Sequence, residues 1–127
     1  MPHTYPQSEK LKSKKLIELL FDEGRSVKSY PLRMVYVPAT LYPEGVKWQC
    51  GVSVSKRSFK SAVDRNRVKR LMRESYRHNK SIIDTKGTTF AMLILYTGRE
   101  QLSQKEISKA MVKLLNRFND AVSPSSS

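Results

Sequence analysis

Ser61-Ala62-Val63-Asp64-Arg65-Asn66-Arg67-Val68-Lys69-Arg70-Leu71-Met72-Arg73-Glu74-Ser75-Tyr76-Arg77-His78-Asn79 is the stretch that decides how this chain is built. Laid on a helix at roughly 100° per residue, Val68, Leu71, Met72 and Ser75 fall on one side, with Tyr76 at its border. Arg65, Asn66, Lys69, Arg70, Arg73, Arg77 and Lys80 cover the other side. A narrow apolar stripe buries itself only against another layer, so the pattern predicts a helix over 61–79 packed on other elements. Arg65, Lys69 and Arg73 share an i, i+4, i+8 row that rises ~6 Å per step, a scale on which a single strand repeats its phosphates. A face made only for solubility would mix signs, with Glu-to-Lys pairs at i, i+4. Here like charges repel along the row, a cost that an external polyanion offsets.

The flanking sequence supplies the partner layer. Upstream, Leu16 pairs with Leu20 and Ile17 with Phe21 at i, i+4, which predicts a short helix from Ser13 or a turn earlier at Ser8. Gly24 follows it, where a left-handed cap is common. Residues 32–37 (Leu-Arg-Met-Val-Tyr-Val) read as a strand ending at Pro38, and 40–45 as a turn. Residues 46–55 read as a second strand, expected to form a hairpin-like pair with the first. The basic linker 56–60 then leads into the long helix. After a loop at 84–88, residues 89–96 form the most apolar strand, expected at the centre of the sheet. Ser103 and Glu106 have capping-box spacing, and Ile107, Met111, Leu114, Leu115 and Phe118 make a helical stripe. Residues 1–8 read as a flexible arm, 9–120 as one domain and 121–127 as a disordered tail. The order helix, strand, strand, helix, strand, helix calls for an α+β sandwich, a small sheet with helices packed on it.

Composition narrows the function. The 127 residues carry 24 Lys and Arg against 11 Asp and Glu, a formal net charge of +13. Ten of the basic residues lie between positions 56 and 80, accompanied only by Asp64 and Glu74, so the charge is concentrated. Nucleic acid, an anionic membrane face and an acidic protein all attract such a surface, and nucleic acid is favoured. A membrane-surface helix would set its cations opposite a Trp, Phe and Leu face, whereas the single Trp48 sits in an extended stretch. The longest apolar run, 91–96, is far short of the ~20 residues of a membrane span. One cysteine, Cys50, excludes an internal disulfide framework and a Cys-based zinc cluster, and simply fills the inward face of its strand. A cytoplasmic location is expected.

Val52-Ser53-Val54-Ser55-Lys56, followed by Ala62-Val63-Asp64-Arg65-Asn66-Arg67-Val68-Lys69-Arg70-Leu71-Met72-Arg73-Glu74, resembles the signature of the bacterial ribonuclease P protein subunit. Leu11-Lys12, Phe21, Gly24-Arg25-Ser26 and Leu102-Ser103 agree with it, so the resemblance runs from about residue 11 to 118. It implies a two-layer α/β sandwich related to the second domain of a ribosomal small-subunit protein. It also implies a left-handed βαβ crossover, against the strong general preference for right-handed ones. The family's partners are a catalytic RNA subunit and precursor tRNA, whose 5′ leader is removed; no membrane or protein partner is implied. Hydrolysis belongs to the RNA and its Mg²⁺ ions. Carried over residue by residue, Lys56, Arg65, Asn66, Arg67, Lys69, Arg70 and Arg73 are RNA contacts. Phe21 lines a leader cleft, with Tyr36 opposite on the first strand and Ile17 where the family commonly has an aromatic.

The carboxylates speak against a nuclease within the polypeptide. Two-metal hydrolysis needs acidic ligands around ions ~4 Å apart. Asp64 and Glu74, the pair on the basic helix, lie about 15 Å apart along its axis. His3 and His78 have no partner spacing for metal or acid–base work. No catalytic or metal-ligating residue is therefore assigned. A Mg²⁺ ion bridged by Asn66 and an RNA phosphate is left open. Two rivals stand beside this reading. One is a plain RNA-binding module, such as a ribosomal protein or RNA chaperone. The other is a helix–turn–helix DNA reader, which would need a short positioning helix directly before residue 61 where the pattern reads as strand and linker.

Overall fold

Phe90–Tyr96 is one of the two inner strands of a four-stranded sheet, and residues on both of its faces are buried. The computed structural model describes residues 10–41 and 44–122. The elements run α1 (Lys14–Glu23), β1 (Arg25–Ser29), β2 (Leu32–Pro38), β3 (Trp48–Val54), α2 (Ala62–Asn79), β4 (Phe90–Tyr96) and α3 (Gln104–Ala121). A single 3₁₀ turn, Lys80–Ile82, follows α2. The sheet order is β1-β2-β4-β3. β4 runs antiparallel to β2 and parallel to β3, so β3 and β4 are joined through α2 in a βαβ crossover.

The expected hairpin-like pairing of residues 32–37 with 46–55 does not occur: β4 lies between β2 and β3. The physical reason is burial. β4 is the strand whose side chains are apolar on both faces, and the middle of the sheet hides both. β2 instead forms its hairpin with β1, in register from Arg25 opposite Tyr36 to Ser29 opposite Leu32. Sequence periodicity shows no strand at 25–29, where Val27 is the one apolar residue. Pairing to β2 makes it a strand.

Even positions of β2 and β4, Met34, Tyr36, Met92 and Ile94, point into a core with Val68, Met72 and Tyr76 of α2 and Ile107, Met111, Leu114, Leu115 and Phe118 of α3. The sheet and these two helices are the expected two-layer sandwich. Odd positions, Val35, Val37, Ala91 and Leu93, face the other way and receive Leu20, Leu16 and Leu19 of α1. Trp48 ties β3 to α2, its indole N–H donating to the Tyr76 hydroxyl at 2.7 Å.

Three serines start the three helices. The hydroxyls of Ser13 and Ser61 accept from the amides of Leu16 and Asp64. Ser103 and Glu106 complete a reciprocal capping box. Gly24 ends α1 in extended rather than left-handed backbone (φ −68°, ψ 146°). Its need for glycine is steric: a Cβ there would lie 2.2 Å from the Leu20 carbonyl oxygen and 2.5 Å from Val35 Cγ1. The arm at 1–8 lies outside the described residues. The expected tail does not begin at Ala121, which closes α3; Val122 follows it and packs against the core.

Gly24→Ala should destabilise the fold by about 1–3 kcal/mol through overpacking between α1 and β2, measured by urea unfolding. Hydrogen bonds from the Ser103 amide and hydroxyl hold the Glu106 carboxyl below the usual glutamate range. A depressed pKa contributes stability above the unfolded-state value that is lost as pH falls through the folded one. Acidification through that window should therefore lower the melting temperature of the native protein more than that of Glu106→Gln.

Candidate nucleic-acid interface

The basic helix lies over β3, an edge strand, and its cations divide by what they already touch. Arg65 donates from Nη1 to the carbonyls of Phe59 (2.9 Å) and Lys60 (2.7 Å), pinning the linker to the first turn of α2. Arg67 donates to Gln101 Oε1 at 2.9 Å, reaching the segment before α3. Arg77, on the expected basic face, is folded onto Glu74 at 2.6 Å. That ion pair holds the Glu74 carboxyl below its ordinary range. Asn66, Arg70 and Arg73 are exposed and Lys69 is half-buried. None of these four has a hydrogen bond or ion pair to protein among the described residues. Lys56 is exposed at the start of the linker.

Two cations absent from the expected set join this face. Residues 10–12 run beside β3: Lys10 bridges Cys50 in parallel, and the Leu11 amide donates to the Cys50 carbonyl at 3.2 Å. Lys10, Lys12 and Arg73 thereby line one groove of about 430 Å³ across the β3 edge, with Gly51 and Val52 on its floor. Only the strand-like approach of a segment remote in sequence brings them to Arg73.

The expected leader-cleft residues part company. Phe21 is 64% exposed, so it is no core residue, and Ile17 is half-buried one turn before it on α1. Tyr36 does not stand opposite them. It is 6% exposed on the other face of the sheet, edge-on to Phe90 and Phe118 with ring centroids 6.0 and 5.1 Å away. Strand alternation is the reason: β2 sends its even positions to α3 and its odd ones towards α1. The α1 face carries Arg33, next to Leu95 and then Ser53 in the cross-strand register. Arg33 Nε is buried with no hydrogen-bond partner among the described residues. A lone buried donor of this kind is not visible in periodicity, since Arg33 reads simply as a polar strand position.

Among the described residues, no three His, Cys, Asp or Glu side chains come close enough to hold a metal ion. No helix there is long and apolar enough to cross a membrane.

The sequence model of the Ribonuclease P family matches residues 5–119. The chain belongs to that family. It is 35% identical over 116 residues to the ribonuclease P protein component of Porphyromonas gingivalis, covering 88% of this chain and 84% of that one. The corresponding protein of Chlorobium phaeobacteroides is 32% identical over 120 residues, covering 81% and 82%. Among solved structures, the RNase P protein of Staphylococcus aureus superposes with a TM-score of 0.70 at 20% identity, over 88% of this chain and 96% of that one. That of Thermotoga maritima gives 0.69 at 22% identity, over 86% and 96%. At such identities these two likenesses establish the shared fold.

Tyr36→Ala should cost about 3–5 kcal/mol of unfolding free energy, as removal of a buried aromatic does, whereas Tyr36→Phe should cost little. Arg65→Ala should cost about 1 kcal/mol, because it removes the half-buried guanidinium that donates to the two linker carbonyls. Arg70→Gln should leave the melting temperature unchanged.

Proposed function

We propose that this chain is the RNA-binding protein component of a ribonuclease P ribonucleoprotein, assisting a catalytic RNA in the endonucleolytic removal of the 5′ leader from precursor tRNA. The observation that carries this reading is the set Asn66, Lys69, Arg70 and Arg73. These polar groups have no protein partner among the described residues, and they sit on the crossover helix of a chain matched by the family over residues 5–119. The repulsion among Lys69, Arg70 and Arg73 along one helix face is relieved by phosphates, which give affinity and a strong salt dependence without sequence demand.

Within this reading Lys56, Asn66, Lys69, Arg70 and Arg73 grip RNA directly, with Lys10 and Lys12 flanking the groove at the β3 edge. Arg65 and Arg67 play a double part. Each uses one donor group to hold the linker or the α3 approach, and a guanidinium has five N–H donors in all, so others remain for phosphate. The leader is received on the α1 side of the sheet. Phe21 offers an exposed ring for stacking an unpaired base, and Ile17 offers apolar contact. Tyr36 has no place in this cleft.

Mg²⁺ supplies the hydrolytic chemistry when bound in the catalytic RNA. The part proposed for the protein itself is to bind and orient RNA and to neutralise its phosphate charge. Location in the cytoplasm, where precursor tRNA and the RNA subunit are found, accords with this role.

Mixed at low Mg²⁺ with a bacterial ribonuclease P RNA and a leader-bearing precursor tRNA, the protein should produce cleavage at the mature 5′ end that neither component gives alone. Cleavage by the protein alone, or no stimulation of the RNA, would overturn the assignment. Phe21→Ala should weaken binding of precursor tRNA by about fivefold or more, the scale of one stacked base, and leave mature tRNA unaffected.

A further inference from the structure

A second concave, cationic surface lies at the other edge of the sheet. β1 and β3 are the two edge strands, three strand spacings or about 14 Å apart. At the β1 edge, Lys109, Lys113 and Arg117 of α3 face the Tyr30–Pro31 turn across a groove of about 450 Å³. The three cations form an i, i+4, i+8 row, continued one turn earlier by Lys105, with the same ~6 Å rise as the row on α2. Lys105, Lys109, Lys113 and Arg117 are all exposed. The one carboxylate in the lining, Glu106, is committed to the Ser103 amide and hydroxyl. Arg117, which lines the groove, is held against β1 by an Nη1 hydrogen bond to the Lys28 carbonyl.

Tyr30 completes this surface. It is 68% exposed, one of three large apolar side chains left open among the described residues, yet it is firmly seated. A Cβ at Gly98 would lie 2.9 Å from Pro31 Cβ and 3.0 Å from the Tyr30 hydroxyl, so the turn packs directly onto bare backbone. The Thr97 amide and hydroxyl both donate to the Pro31 carbonyl, at 2.7 and 3.0 Å, clamping the turn to the end of β4. An aromatic ring presented at low conformational cost beside a regular row of cations is the combination that holds a single strand, phosphates on the row and a base on the ring.

We propose that this groove, between the outer row of α3 and the Tyr30–Pro31 turn, is a second site for an RNA strand, separate from the α2 face. The inference rests on the RNA-binding role proposed above and adds a further RNA-binding surface to it. The strand comes either from the catalytic RNA or from the body of the precursor tRNA. Both present the same phosphate-and-base chemistry.

The test uses the full-length protein with the paired substitutions Lys109→Gln and Lys113→Gln, and separately Tyr30→Ala and Tyr30→Phe. Lys69→Gln with Arg73→Gln serves as the α2 control. Affinity is measured as a function of salt for a bacterial ribonuclease P RNA alone, and for precursor tRNA with the assembled complex. Melting temperatures confirm that each variant is folded. The α3 pair should reduce the slope of log affinity against log salt by about 0.7 for each phosphate it no longer neutralises. Tyr30→Ala should weaken binding by about fivefold or more, while Tyr30→Phe, which keeps the ring, stays near the native value. Weakening in the first arm assigns the strand to the catalytic RNA, and weakening confined to the second assigns it to the tRNA. Unchanged slopes and affinities in both arms, with the α2 control weakened, would overturn the groove alone. An α2 control that also binds normally would overturn the RNA reading on which it stands.

Discussion

The position of β4 constrains everything else in this molecule. Its backbone is paired on both sides, antiparallel to β2 and parallel to β3, and Ala91, Met92 and Ile94 are wholly buried. Each large apolar side chain so enclosed contributes about 1.5–3 kcal/mol, which outweighs any alternative that left the strand at an edge. A parallel neighbour cannot be reached by a tight turn, so the chain must cross over between β3 and β4. That crossover is α2. Its apolar stripe is taken by the core, and its cationic face is left looking outward above the β3 edge. The inner strand β4 thus sets where the positive charge is displayed.

The charge itself is tolerated rather than stabilising. Few of the cations on α2 are matched by anions. Glu74 is committed to Arg77, while Arg65 and Arg67 are held by neutral carbonyl and amide oxygens. A protein of +13 pays for such a surface with self-repulsion, and the apolar core beneath α2 and α3 offsets it. The division among the arginines follows from reach. Those in the first turns of α2 bend back to the linker and the α3 approach, whereas Arg70 and Arg73 make no hydrogen bond or ion pair to protein among the described residues. Structural and recognition roles are therefore interleaved along a single helix.

Much of this was legible in residue order. The stripe of Val68, Leu71, Met72 and Ser75 placed α2, the Ser103–Glu106 spacing placed the start of α3, and the unbroken run at 91–96 placed the inner strand β4. What was not legible depends on partners remote in sequence. Residues 25–29 have little apolar signal and become a strand because β2 offers them a ladder. The expected pairing of 32–37 with 46–55 failed because neighbours in sequence are not neighbours in a sheet that contains a crossover. Tyr36 was assigned to the wrong face because alternation tells which residues share a side, but not which side the first helix will cover. Gly24 was correctly marked as special, though for a left-handed cap. Its actual constraint is the close approach of Val35, which no local pattern contains.

By itself, then, the sequence determined the periodic elements, the concentration of cations on one helix face and the family signature built on Arg65-Asn66-Arg67, since these rest on local spacing and side-chain chemistry. Only the tertiary structure decided the strand order, the burial of Tyr36 and the exposure of Phe21. It also decided the convergence of Lys10 and Lys12 with Arg73, the stranded Arg33 Nε, and the seating of Tyr30 against Gly98 beside the α3 row. Those features arise where segments distant in the chain compete for the two faces and two edges of one sheet, and the outcome depends on the packing of all of them together.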